Sequence, residues 1–354
     1  MLYDAITSRA IAAYFSEVYR PVNTIARSLF PIQHKIGIKL AWIKGTKGIT
    51  PSLAPSAFDT KATLRSRDGI SVTETQMPYF KEGIRLSETD RQELLFLGDA
   101  TNSPLRDRVI SEFFDDAAEL LRAANYVPER MVYQLLFPEN GIPAISFADN
   151  GVTYAYTYGD NDWKDGHYTA LSGTALWTAS STCDPLKDIT ALKTKLRMKY
   201  GSVIRYLIMN SNTFNLIAKA DAVKSLFVLA NGNTPNMALL PGQVSDLIDR
   251  STGCIPVIND DVYVDEVGVM QQYVPDGMVA FVPDGPLGTM FRATTPAEAD
   301  LIGRADVDVS IVDGGVAIAT KVETDPVEKV VIASQIVLPS YERIDSVGLL
   351  KVIA

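Results

Sequence analysis

Residues Ser103–Ala124, SPLRDRVISEFFDDAAELLRAA, read as one long amphipathic helix. Ser103 suits the N-cap, and Pro104 suits the first helical position, where a missing N–H is no loss. Ile110, Phe113, Phe114, Ala117, Leu120, Leu121 and Ala124 follow at helical spacing and make a single apolar stripe. Glu112, Asp115, Asp116 and Glu119 recur at i, i+3, i+4 and i+7, which gathers four carboxylates on the opposite face. Like charges at these spacings cost roughly a few tenths of a kcal/mol per pair. Such a face is either solvated surface or a docking strip for a basic partner. Pro128 then opens or kinks a second helical stretch, PERMVYQLLF.

Upstream of the helix, KATLRSRDGISVTETQMPYF alternates like two strands about a turn at Arg67-Asp68-Gly69. Lys61, Thr63, Arg65 and Arg67 fall on one side of the first strand, because side chains alternate faces. A hairpin with so few large apolar residues is marginal alone. It must reach into solvent or lie on something else. Further upstream, residues 3–19 read as a short helix with Ile6, Ala10, Ala13 and Phe15 among its apolar positions. A Pro-, Ser- and Thr-rich stretch, GITPSLAPSAFDT, separates the two.

Downstream, residues 142–158 read as a β-hairpin around Asp149-Asn150-Gly151. A helix follows: Asp184 caps it, Pro185 starts it, Leu186, Ile189, Leu192 and Leu196 stripe it, and Gly201 ends it. Next come a buried strand VIRYLIMN, a helix SNTFNLIAKADAVKSLF capped by Ser211, a helix PGQVSDLIDR and strand character in IPVINDDVYVDEVG. From residue 305 the chain is mostly alternating strand. This order predicts an α+β protein whose two units are built discontinuously.

The chain is long enough for two or three packed units, with 354 residues. Its net charge of −9 argues against a dedicated nucleic-acid binder. No apolar run approaches the roughly 20 residues of a membrane span. The opening MLYDAITSRA lacks the layout of a secretory signal, and two cysteines without a disulfide framework fit cytoplasmic synthesis. Cys183 and Cys254 fit no metal or disulfide spacing and read as buried thiols. His34, in a predicted strand, and His167, in a predicted loop, read as structural. The acidic run NDDVYVDE offers Asp260, Asp261, Asp265 and Glu266, but strand alternation splits them between two faces. The stretch YVPDGMVAFVPDGPLG lacks the order of a phosphate-binding loop. Its repeated motif reads as two turns, Pro275-Asp276-Gly277 and Pro283-Asp284-Gly285, bracketing a short buried strand. No catalytic, metal or cofactor site emerges.

Taken in order, these segments resemble the major capsid proteins of lambda-type tailed bacteriophages, which share the Hong Kong 97-like coat fold. The likeness runs through RSLFPIQ, LRSRDGISVTETQMPYFKEGIRLSETD, ERMVYQLLFPENGI, YLIMNSNTFNLIAK, DDVYVDEVG, FVPDGPLGTMF and DPVEKVVIASQIVLPSYERIDSVGLLKV. It implies an N-terminal arm at 1–50, an extended β-hairpin loop at 51–85, and a peripheral domain at 86–184 with a spine helix about 104–124. It further implies an axial domain at 185–305 and a return to the peripheral domain at 306–354. The implied function is self-assembly into hexamers and pentamers of an icosahedral head enclosing double-stranded DNA, without cofactor or turnover chemistry. Implied partners are copies of the chain, a scaffolding protein, in some members a decoration protein, and DNA bound without sequence specificity; no membrane is implied. The basic loop residues Lys61, Arg65 and Arg67 then become contact candidates for Glu112, Asp115, Asp116 and Glu119 of the next subunit. Lys61 and Lys81 flank the loop, but no asparagine partner is identifiable, so crosslinking is not expected. Two alternatives stand beside this reading: another virion part such as a tail-tube component, or an acidic carbohydrate-active enzyme using a pair from Asp260, Asp261 and Asp265.

Overall fold

In a computed structural model the described residues are 7–18, 24–44, 71–89, 92, 103–149, 152–231, 240–265, 268–302, 307–312, 315–325 and 327–354. The chain forms two compact units, each assembled from separate segments. The first comprises Met1–Ala41, Glu74–Met131 and Thr289–Ser340, and the second comprises Trp42–Thr73, Val132–Gly288 and Tyr341–Ala354. These limits differ from the 305/306 division that the resemblance implies. The reason is pairing: strand Thr289–Ala293 lies antiparallel to residues 336–340 and so joins the first unit.

In the first unit the 14-residue strand Val327–Ser340 organises a six-stranded sheet. It pairs antiparallel with Val316–Thr324, Tyr79–Leu86 and Thr289–Ala293. Val307–Val312 continues the sheet beyond Val316–Thr324, and Ile32–Lys35 runs parallel to Thr289–Ala293. Two helices bury their apolar faces with it. Ile11 and Phe15 of helix Ser8–Val18, and Phe113, Ala117, Leu120 and Leu121 of the long helix, share a core with Val316, Ile318, Val331 and Ala333. Ala13 is exposed, and Ile6 lies outside the described residues. The Ser8 amide donates to Asp308 Oδ2 at 2.7 Å, tying the first helix to strand Val307–Val312.

The long helix runs unbroken over Ser103–Leu136, beyond the limit of 124 expected from the sequence. Pro128 sits inside it rather than starting a second helix. Proline has no N–H, so the carbonyl of Ala124 loses its usual donor four residues on. The side-chain amide of Gln335, from the long strand, donates to that carbonyl instead. Gln335 is fully buried, and the substitution of one donor for another lets the helix continue.

The polar hairpin is described in part. Ser71–Gln76 pairs with Lys39–Lys44 in a two-stranded sheet. Lys61, Arg65, Arg67 and the turn at 67–69 lie outside the described residues.

The second unit is built on a five-stranded sheet in the order Tyr168–Ala170, Gly348–Lys351, Met278–Pro283, Ile204–Met209 and Ile255–Ile258. Helix Pro185–Tyr200 forms as its residues dictate. Asp184 accepts from the Lys187 amide at 3.1 Å, Leu186, Ile189, Leu192 and Leu196 are buried, and Gly201 ends it at φ 72°. The next helical stretch departs from expectation. It breaks at Ala220 into Ser211–Lys219 and Asp221–Asn231, and its cap is Asn210, not Ser211. Asn210 Oδ1 accepts from the Thr213 amide at 2.9 Å. Helix Pro241–Thr252 and hairpin Ala144–Asp149/Val152–Thr157 form where the sequence places them. His167 is not in a loop. It ends helix Asn161–His167, buried, with its Nδ1 2.7 Å from the Val347 carbonyl and its ring between Trp163 and Tyr200.

Candidate functional site

Glu112, Asp115, Asp116 and Glu119 of the long helix are all exposed, while Phe113, Ala117, Leu120 and Leu121 on the other side are buried. The helix therefore presents Glu112, Asp115, Asp116 and Glu119 as one acidic face. Burial first, then the charges of Glu112, Glu119 and Asp115, push the Asp116 carboxyl above its ordinary value. The strip is electrostatically unfavourable in the isolated chain. Asp115 accepts a hydrogen bond from the Tyr14 hydroxyl, and the Tyr14 ring lies 5.6 Å from that of Phe114. Helix Ser8–Val18 thus fixes one member of the cluster. The basic residues expected opposite, Lys61, Arg65 and Arg67, are outside the described residues.

The two Pro-Asp-Gly corners bracket strand Met278–Pro283, whose six residues are all buried. This strand is the middle one of five, and its burial is what the sequence predicts. Each corner is held by the chain itself. At the first, Asp276 accepts from the side-chain amides of Asn210 and, at 3.1 Å, Asn212. The Gly277 amide donates to Thr213 Oγ1 at 2.8 Å, and its carbonyl accepts from the Val352 amide at 2.8 Å. At the second, the Gly285 amide donates to Asp284 Oδ1 at 2.9 Å. Arg343 Nη1 donates to the carbonyls of Asp284 and Pro286 at 3.2 and 3.0 Å. Pro283 sits at a register shift, where its missing N–H leaves no gap in the ladder. Gly277 and Gly285 have φ of +70° and +84°, the region where glycine is favoured. The Gly277 and Gly285 amides that a phosphate would need already serve the fold.

The acidic run at 259–266 is likewise spent on turns. Asp260 accepts from the Ser211 hydroxyl and, at 2.7 Å, from its amide, and these bonds hold its carboxyl below the usual range. Asp261 Oδ2 accepts from Asn259 Nδ2 at 2.9 Å. Asp265 Oδ1 accepts from the Val269 amide at 2.8 Å. Glu266 lies outside the described residues. Among the described residues no group of three or more His, Cys, Asp or Glu side chains could hold a metal ion. Cys183 and Cys254 are buried free thiols, and burial pushes the Cys183 thiol up.

Two residues escaped the sequence reading. Asn210 serves both the helix cap and the Asp276 corner, and its position one before Ser211 was the available signal. Gln335 supports the proline in the long helix, and no local pattern announces a contact 211 residues away in the chain.

A family model described as phage major capsid protein E matches residues 7–345. Among solved structures, one described as a prophage capsid protein of E. coli CFT073 is similar at 11% identity and TM-score 0.58, covering 99% of each chain. A phage-related protein from Bordetella bronchiseptica RB50 is similar at 12% identity and TM-score 0.53, covering 98% of this chain and 97% of that one. No curated protein matches the chain.

Proposed function

The chain belongs to the phage major capsid protein E family and has the Hong Kong 97-like coat fold, a virion protein of icosahedral shells, and on that premise we propose how its copies meet. Residues 51–70 of the extended loop of one copy lie over the acidic helix face of the next, while Tyr79–Leu86 stays in its own chain's sheet. Lys61, Arg65 and Arg67 meet Glu112, Asp115, Asp116 and Glu119 there. The observation that carries this reading is the acidic face itself: four exposed carboxylates whose mutual repulsion is felt at Asp116. Basic residues from a neighbour relieve that repulsion. An exposed ion pair contributes only about 0–1 kcal/mol, but a shell repeats each contact in every subunit.

The second unit, with its five-stranded sheet, is the axial domain of this reading, and the first unit is the peripheral domain. Subunits group as hexamers and pentamers around double-stranded DNA, with a scaffolding protein directing assembly. Synthesis and assembly take place in the host cytoplasm. The chain performs no turnover chemistry. A net charge of −9 supports an inner wall without a strong basic patch, along which DNA can slide.

Electron microscopy of the purified, assembled protein tests the reading. Closed shells with five- and six-membered rings are expected, with at least one of Lys61, Arg65 and Arg67 within ion-pair distance of a neighbour's acidic face. Rings stacked into a tube would assign the chain to the tail. A soluble monomer with hydrolytic activity lost on Asp261→Ala would assign it to carbohydrate chemistry.

A further inference from the structure

The second unit carries two exposed apolar patches of opposite charge. The first is the hairpin Val262–Val264/Met270–Gln272. Its register opposes Val262 to Gln272 and Val264 to Met270, so these four share one face, while Tyr263 and Gln271 take the other. Tyr263 turns inward, its ring 4.8 Å from Tyr273, which in turn packs 4.9 Å from Tyr133. The outer face is left open: Val262, Val264 and Met270 are 46%, 60% and 69% exposed, and Val269 in the connecting turn is 51% exposed. Exposed Asp260 and Asp261 and half-buried Asp265 flank them.

The second patch is the end of helix Pro185–Tyr200 and the residues after it. Met198 is 75% exposed and Val203 66%. Exposed Lys195, Arg197 and Lys199 lie within three residues of Met198 on the same helix, and Lys195 Nζ donates to the Asp165 carbonyl at 3.1 Å. Asp162 and Asp165 lie near Lys199 and offset part of that charge.

The sheet sets these patches apart. Ile204–Met209 and Ile255–Ile258 are parallel neighbours. Val203 immediately precedes the first, and the hairpin follows the end of the second. The patches therefore sit at opposite ends of the strand pair, about 20 Å apart for six residues of strand. Each is apolar at its centre and charged at its rim, with opposite sign. An acidic patch does not pair with its own copy. It pairs with the basic patch of another subunit, and a contact between two different surfaces propagates head to tail, closing into a ring when the rotation between neighbours closes and running on as an open filament when it does not.

We propose that the 262–272 hairpin of one subunit docks on the Met198–Val203 surface of the next, forming the ring contact between second units. This rests on the shell reading above, and deepens it by naming the two surfaces that meet. A lone two-stranded hairpin with an apolar outer face is marginal in water, and the neighbour supplies the cover.

The test uses the full chain with two single substitutions, Met270→Asp and Met198→Asp, both at exposed positions away from the core. Ring content is read by analytical ultracentrifugation and electron microscopy, and the fold of the disassembled subunit by thermal unfolding. Each variant should keep the wild-type melting temperature and lose rings at least tenfold. The decisive arm is a 1:1 mixture. Met270→Asp retains an intact basic patch and Met198→Asp an intact hairpin, so together they should form dimers that go no further. Rings formed by either variant at wild-type yield would overturn the proposal, including the case in which rings persist and only a separate protein partner is lost. Failure of the wild-type chain itself to form rings would overturn the shell reading instead.

Discussion

Replacing Gly277 with alanine, with Gly285→Ala as its reference, separates two costs that a tight corner imposes. Both residues have positive φ, +70° and +84°. An L-residue held in that region pays about 1–2 kcal/mol. At Gly285 that is the whole cost, because an added Cβ meets nothing nearer than Arg343 Nη1 at 3.7 Å. At Gly277 the added Cβ falls 2.1 Å from Ile353 Cγ1, 2.5 Å from Cδ1 and 2.9 Å from Cβ. A rotamer change moves the first two atoms but not the third, so the C-terminal segment must withdraw. Withdrawal strains the 2.8 Å bond from the Val352 amide to the Gly277 carbonyl. Overpacking costs about 1–3 kcal/mol and a weakened hydrogen bond about 1 kcal/mol. The expected losses are therefore about 1–2 kcal/mol for Gly285→Ala and about 3–6 kcal/mol for Gly277→Ala. Urea unfolding of the disassembled subunit measures both, with m-values compared to confirm an unchanged exposed surface. Adding Ile353→Ala should restore part, not all, of the Gly277→Ala loss. Equal losses at the two glycines, or no coupling to Ile353 in the double-mutant cycle, would refute the reasoning.

Gln335→Leu removes the donor that serves the Ala124 carbonyl beneath Pro128, and should cost about 1–3 kcal/mol in thermal unfolding; a neutral result would mean water takes its place. Asn210→Ala loses the cap on Thr213 and a donor to Asp276, and should cost about 1–2 kcal/mol, more than Ser211→Ala if Asn210 is the true cap. Burial holds the His167 ring below its ordinary pKa, against the smaller opposing effects of the Val347 carbonyl and Asp345. The unfolded state then binds the proton more readily, so stability is full above about pH 6.5 and declines as the pH falls below that. His167→Gln should flatten this part of a urea-midpoint profile, and an unchanged slope would place the titration elsewhere.

Local chemistry made much of the fold legible. Helix Pro185–Tyr200 carries its cap, its stripe and its terminal glycine in one continuous segment, and it folds as those residues dictate. The stripe of the long helix was equally plain, but its end was not. A proline ends helices when nothing replaces the missing bond, and the replacement, Gln335, comes from a strand far along the chain. The same limit applies to the Pro-Asp-Gly corners. Turn chemistry identified both, while the central place of their strand depends on pairing with Gly348–Lys351 and Ile204–Met209, which no local pattern specifies. His167 was misplaced because its helix is one of seven residues, too short for a periodic signal. At the candidate surface, spacing alone placed four carboxylates together. The hairpin's exposed outer face needed the structure, since alternation says which residues share a face but not which face is covered.

Two kinds of contact follow from these surfaces, and they should respond differently to salt. The acidic helix face offers mainly charge: Glu112, Asp115, Asp116 and Glu119 are all exposed. Its pairing with a basic loop belongs to the class worth about 0–1 kcal/mol per pair, and it weakens as the Debye length shrinks from about 10 Å at 0.1 M salt to about 3 Å at 1 M. The hairpin contact buries Val262, Val264 and Met270 against Met198 and Val203, with charge only at its rim, and apolar burial persists in salt. Raising the salt should therefore release the loop from the helix face while rings survive. Asp116→Asn mimics the release from one side. It should stabilise the free subunit by roughly a few tenths of a kcal/mol, through relief of like-charge repulsion, and loosen the shell without abolishing rings. Proteolysis within residues 51–70 is the readout: cleavage should rise with salt in wild-type shells and start higher in the variant. Rings that dissolve at the same salt concentration at which the loop becomes cleavable would mean that one electrostatic contact holds both, and the division of labour between the two surfaces would fall.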